Sequence, residues 1–128
     1  MKILICSENP IFMKQIIGLS IEGGWKTSIS EHPADAIRKV IKEDFDVVIS
    51  DTGSAGLSGT DALNIIRHLC PGTEVLLTGE KTPPGYSELP FLYYNDYRGI
   101  KSYIEDVQRR KNKKGGTDDT KRSYAYGI

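Results

Sequence analysis

The residue whose setting most suggests chemistry lies in the stretch from Phe45 to Gly59. A short β-branched apolar run, Val47-Val48-Ile49, leads through Ser50 to a single carboxylate, Asp51, and a segment of Gly, Ser, Thr and Ala follows. Such a run reads as a buried strand that carries an acid to its C-terminal edge, with a loop beyond it. An acid kept there is costly unless it is used. Two uses fit: a phosphoacceptor at the edge of a parallel sheet, or the acid of an Asp-Thr-Gly hydrolytic signature formed by Asp51, Thr52 and Gly53. Other polar residues close apolar runs in the same way. Ser7 and Glu8 follow Ile3-Leu4-Ile5-Cys6, Thr78 follows Val75-Leu76-Leu77, and Asn95 follows Phe91-Leu92-Tyr93-Tyr94.

The elements that must position these residues alternate along the chain. Lys2 to Cys6 is a continuous apolar strand of the kind buried on both faces of a parallel sheet. Asn9 has the chemistry of an N-cap and Pro10 that of a first helical residue. Phe12, Ile16, Leu19 and Met13, Ile17 then recur at helical spacing until Gly23-Gly24. Trp25, Thr27 and Ile29 share one face of a weaker strand, and Pro33 opens a second helix with Ala36, Ile37, Val40 and Ile41 as its apolar stripe. After the strand to Asp51, residues 60–69 form a third helix with Ala62, Leu63, Ile65, Ile66 and Leu69 inward, broken by Pro71-Gly72. Pro83-Pro84-Gly85 and Pro90 leave no more than a stub of helix before the fifth strand. Asn95-Asp96 caps a final helix, with Tyr97, Ile100, Tyr103, Ile104 and Val107 on one side up to residue 108. Strand and helix alternating with short connections predict an α/β doubly wound, five-stranded parallel sheet whose fourth helix is shortened or missing. In such sheets chemistry gathers beyond the C-terminal ends of the strands. Ser7, Glu8, Asp51, Thr78 and Asn95 all belong there.

Composition sets the outer bounds. With 128 residues, 38% hydrophobic and 27% charged, the chain is one domain able to bury a core without staples. Its two cysteines, Cys6 and Cys70, are far apart and form no Cys-x-x-Cys pair, so buried thiols are expected rather than a disulfide framework or zinc site. No apolar run approaches the ~20 residues of a membrane span, and Met1 enters a strand directly without a secretory core, which points to the cytoplasm and away from membranes. Net charge is zero, but residues 1–108 hold 10 Lys+Arg against 15 Asp+Glu, whereas 109–128 hold 7 against 2. An acidic domain of residues 1–108 with a basic flexible tail of 109–128 is expected.

Over residues 1–108 the sequence resembles the CheY-like receiver domains of two-component response regulators, whose sheet is flavodoxin-like with strand order 2-1-3-4-5. The marks are Ile3-Leu4-Ile5-Cys6-Ser7-Glu8-Asn9-Pro10, Asp51 with its loop to Ser58-Gly59, and Leu77-Thr78-Gly79. The resemblance implies that Asp51 accepts a phosphoryl group, from a phosphohistidine or a small acyl phosphate, as an aspartyl phosphate. It implies Mg²⁺ as cofactor, held by Glu8, Asp51 and the backbone carbonyl of Gly53, and a Thr78 hydroxyl that bonds the phosphoryl oxygens and moves as it does so. A stand-alone signalling module of a phosphorelay, not an enzyme, follows. Its partners are a sensor histidine kinase or phosphotransfer protein, a downstream protein and, as one allowed arrangement, a second copy of the chain. Departures are equally specific. The first of two acids expected after the first strand is Ser7, and the second is Glu8, one methylene longer than the usual Asp. The Lys-Pro expected after the fifth strand is Asn95-Asp96.

These departures favour a pseudo-receiver that binds partners without phosphotransfer, while Asp51 and Thr78 favour an acceptor. The aspartic protease reading of Asp51-Thr52-Gly53 needs an almost entirely β fold, against which the helical periodicities stand. The tail is too short for a winged-helix or helix-turn-helix domain, so sequence-specific DNA binding is not expected.

Overall fold

The computed structural model describes residues 1–51, 58–81 and 88–115. In chain order these form β1 (Lys2–Cys6), α1 (Pro10–Gly23), β2 (Lys26–Ser30), α2 (Pro33–Lys42), β3 (Val47–Asp51), α3 (Gly59–Leu69), β4 (Glu74–Gly79), β5 (Phe91–Tyr93) and α4 (Tyr97–Gly115). All strand pairs are parallel, and the sheet order is β2-β1-β3-β4-β5. The order implied by the resemblance is therefore the one found. Among the described residues no helix stands between β4 and β5. Pro83-Pro84-Gly85 lies outside the described residues, as do Thr52, Gly53 and everything beyond Gly115. A parallel sheet flanked by helices also removes the protease reading.

Alternation along the strands divides the apolar side chains between two layers. Ile3, Ile5, Val47, Ile49 and Leu76 pack with Phe12 and Ile16 of α1 and with Ile100, Ile104 and Val107 of α4. Leu4, Cys6, Val48, Val75 and Leu77 pack with Ala36 and Val40 of α2 and with Leu63 and Ile66 of α3. β1 and β3 occupy the middle of the sheet and are covered on both sides, which is why their sequences are apolar without alternation.

Local signals account for the helix ends. Asn9 caps α1, its Oδ1 accepting from the backbone N–H groups of Ile11 and Phe12 at 3.0 and 3.1 Å. Gly24, at φ 71°, ends that helix in the left-handed conformation that glycine adopts without steric cost. Ser58 caps α3 by accepting from the N–H of Asp61, and Asp96 accepts from the N–H of Gly99 in the first turn of α4.

Several expectations about inward faces are corrected. Ile41 and Leu69 are 67% and 50% exposed, and Ile65 is also exposed. The arcs of α2 and α3 that meet the sheet are narrower than the apolar stripes: Ile41 and Ile65, one position from Val40 and Ile66, are exposed, as is Leu69, the last residue of α3. In α1 the buried residue one turn beyond Ile16 is Ser20 rather than Leu19, and its hydroxyl bonds back to the Ile16 carbonyl at 2.9 Å. Ile29 is exposed because β2 is an edge strand.

The final helix is longer than expected and passes the boundary set at residue 108. Asp106 pairs with Arg109 and Arg110 at helical spacings of three and four. Arg110 also reaches Glu74 at 3.6 Å. Lys111 donates to the Gly72 carbonyl at 2.6 Å and lies 3.5 Å from Asp46. The first basic residues assigned to a tail are thus helical and turned back onto the acidic N-terminal edge of the sheet.

Tyr103 ties α4 to the sheet, its hydroxyl donating to the Val75 carbonyl at 2.9 Å. Burial, with the Glu74 charge adding to it, pushes the phenol from 10.0 up to about 12. The folded protein then keeps a proton that the unfolded chain gives up, so stability falls as pH rises above about 10. Urea unfolding from pH 9 to 11 is expected to show this loss, and Tyr103→Phe is expected to reduce it above pH 10 while costing about 1 kcal/mol at neutral pH, the raised Cys6 thiol accounting for the part that remains.

Candidate functional site

Three central strands deliver the site. Cys6 of β1 is in register with Ser50 of β3, and Asp51 of β3 with Thr78 of β4. Ser7, Asp51 and Thr78 therefore lie side by side at the C-terminal edge of the sheet.

Ser7 is buried at 2% exposure, and its hydroxyl donates to Oδ2 of Asp51 at 2.5 Å. The Ser7 backbone N–H donates to the Ser30 carbonyl at 3.1 Å. Its Oγ in turn accepts from the N–H of Asn9 at 3.0 Å. Thr78 is fully buried, and its hydroxyl donates to the Ser50 carbonyl over 3.3 Å, a long hydrogen bond that is readily exchanged for a better acceptor. Asp51 itself is half-buried. Burial raises its pKa above the ordinary 3.8, the Ser7 hydrogen bond lowers it, and the like charge of Glu8 raises it. Among the described residues no cation figures in that balance. Glu8 and Asn95 are both exposed.

Of the site residues expected from sequence, Ser7, Asp51 and Thr78 are brought together, with Glu8 near enough for its charge to act on Asp51. Asn95 lies two residues beyond β5, after Tyr94, whose N–H donates to the Gly79 carbonyl at 3.0 Å. Gly53 is outside the described residues, and among the described residues no three His, Cys, Asp or Glu side chains gather as a metal cluster. Two carboxylates are nonetheless a donor set that suits Mg²⁺, which is bound through one or two carboxylates and keeps several waters.

Two contributors were given no part in the site by the sequence. Asn9 acts as a helix cap and also orients Ser7 through its backbone. Gly59, the first residue of α3, sits against the end of β3: a Cβ there would lie 1.9 Å from the Asp51 carbonyl oxygen and 2.9 Å from Ser50 Oγ. The signal for Gly59 was its place where a loop returns to the strand end. Cys6, below the site, is a buried thiol whose pKa burial pushes up to about 11.

No protein-family model matches the chain, and no curated protein sequence matches it. Solved structures do. The signal receiver domain of an HD-domain-containing protein from Pseudomonas fluorescens Pf-5 superposes with a TM-score of 0.77 at 14% identity, covering 91% of this chain and 93% of that one. The response regulator TrrA of Thermotoga maritima, in complex with Mg²⁺-BeF, gives 0.73 at 17% identity over 83% of this chain and 97% of its own. The chemotaxis protein CheY4 of Vibrio cholerae gives 0.70 at 18% identity over the same shares of the two chains. The chain has the fold of CheY-like response regulator receiver domains.

Proposed function

We propose that the chain is a receiver module of two-component signalling that accepts a phosphoryl group on Asp51. The observation that carries this reading is the half-buried Asp51 carboxylate at the end of a central strand, bonded to Ser7 and in register with Thr78. An Asp51 oxygen attacks phosphorus, the bond from phosphorus to the donor's nitrogen or acyl oxygen breaks, and the donor leaves with the electron pair. Catalysis of such a transfer is mainly positioning and charge neutralisation. Positioning comes from the Ser7 hydrogen bond and from the backbone of β3. Thr78 exchanges its long bond to Ser50 for a phosphoryl oxygen. Glu8 and Asp51, with the Gly53 carbonyl, are the residues that would hold Mg²⁺, whose charge offsets that of the incoming phosphoryl group.

A sensor histidine kinase or a phosphotransfer protein is the proposed donor. Structural neighbours include TrrA bound to the histidine kinase ThkA. Output passes to a protein partner or a second copy of the chain.

A second reading, a pseudo-receiver that binds partners without phosphotransfer, is favoured by two observations. Among the described residues no cation acts on Asp51, and Asn95 stands where the resemblance expects a lysine. Incubation with acetyl phosphate and Mg²⁺ followed by intact-mass measurement separates the two. A phosphoryl adduct on the wild type that is absent from Asp51→Asn supports the acceptor, and an unmodified wild type supports the pseudo-receiver.

A further inference from the structure

The serine that replaces an acid beside Asp51 has a more definite role than a passive neighbour. Its main chain is fixed by the N–H bond to Ser30 and its side chain is buried. The Asn9 N–H donates into Ser7 Oγ, and Asn9 is itself held as the cap of α1. With that lone pair taken, the hydroxyl proton is directed to the acceptor on the opposite side, Asp51 Oδ2 at 2.5 Å. The start of α1 therefore sets the direction of a hydrogen bond onto the end of β3. The one hydrogen bond from a described side chain to this carboxylate falls on Oδ2, and the Asp51 backbone N–H bonds the carboxylate as well.

We propose that Ser7 is a positioning residue that holds Asp51 by Oδ2 and so selects Oδ1 as the atom that attacks phosphorus. This inference rests on the reading of Asp51 as the acceptor. An acid at position 7 would be an acceptor only and could orient Asp51 only through a shared cation. A hydroxyl there orients Asp51 directly. The Ser7 proton stays on Ser7 throughout: Oδ1 forms the new bond to phosphorus, the acyl oxygen of acetyl phosphate leaves as acetate, and no proton transfer is required.

The test compares initial rates of Asp51 labelling by acetyl phosphate, over a range of donor concentrations in Mg²⁺, for the wild type, Ser7→Ala and Ser7→Thr. Ser7→Ala, which removes one atom, is expected to lower the maximal rate about tenfold, within the cost of misplacing a reacting group. The half-saturating donor concentration is expected to stay unchanged, and Ser7→Thr, which keeps the hydroxyl, is expected to recover most of the rate. A labelled wild type with Ser7→Ala equally fast overturns the role of Ser7 and leaves the acceptor intact. A loss that Ser7→Thr does not recover also overturns it, because packing and not the hydroxyl would then be responsible. A wild type that takes no label overturns the acceptor reading and this inference with it.

Discussion

Replacing Gly59 by alanine is expected to destabilise the domain by roughly 3 kcal/mol, the upper end of ordinary overpacking costs, and to abolish labelling of Asp51. A Cβ at position 59 would sit 1.9 Å from the Asp51 carbonyl oxygen and 3.0 Å from its carbonyl carbon. Neither atom belongs to a flexible side chain that can swing away. Either the first turn of α3 retreats and loses the Ser58 cap, or the end of β3 shifts and carries Asp51 with it. Urea unfolding measures the first effect and phosphoryl labelling the second. Gly18→Ala is the matched control. Gly18 lies inside α1 with nothing within 4 Å of an added Cβ. Alanine there is expected to stabilise by about 0.5–1 kcal/mol.

Asn95→Lys is expected to raise the rate of labelling by acetyl phosphate by about two orders of magnitude, the usual weight of one donor aimed at developing negative charge. Hydrogen bonds from Ser7 and from the Asp51 backbone favour the ionised carboxylate, but the one described charge that acts on it is Glu8, of like sign. The resemblance places a lysine at this position, and Asn95→Lys adds that charge two residues beyond β5. Initial rates at fixed acetyl phosphate measure the effect, and Asn95→Gln, which adds length without charge, is expected to leave the rate unchanged. An equal rate for Asn95→Lys and wild type would remove Asn95 from the site.

The architecture was legible because its signals are local and repeated. Apolar strands without alternation, Asn9-Pro10 at a helix start, Gly23-Gly24 at its end and prolines between β4 and β5 each name an element or a break. What was not legible depends on neighbours far away in the chain. Ile41, Ile65 and Leu69 keep helical spacing with the core, yet the sheet reaches only the arc through Val40 and Ile66. The end of the last helix was missed because a run of Arg and Lys reads as solvated. Its partners, Asp46, Gly72 and Glu74, lie at the N-terminal edge of β3 and β4.

The site divides along the same line. Ser7, Asp51 and Thr78 were identifiable because each closes an apolar strand, and parallel register then brings them together. The direction of the Ser7 hydroxyl was not identifiable, since it depends on the backbone of Asn9 and the position of Asp51 together. Gly59 was visible as a small residue, but its contact with the Asp51 backbone exists only once α3 is docked.

The most direct measurement is to treat the wild-type chain with acetyl phosphate and Mg²⁺, reduce the product with borohydride and map the peptides by mass spectrometry. Borohydride converts an aspartyl phosphate to homoserine. The expected result is homoserine at residue 51, with Asp46 and Asp61 unmodified and no conversion in Asp51→Asn. Homoserine at another aspartate, or none anywhere while a control receiver labels under the same conditions, would contradict Asp51 as the phosphoryl acceptor.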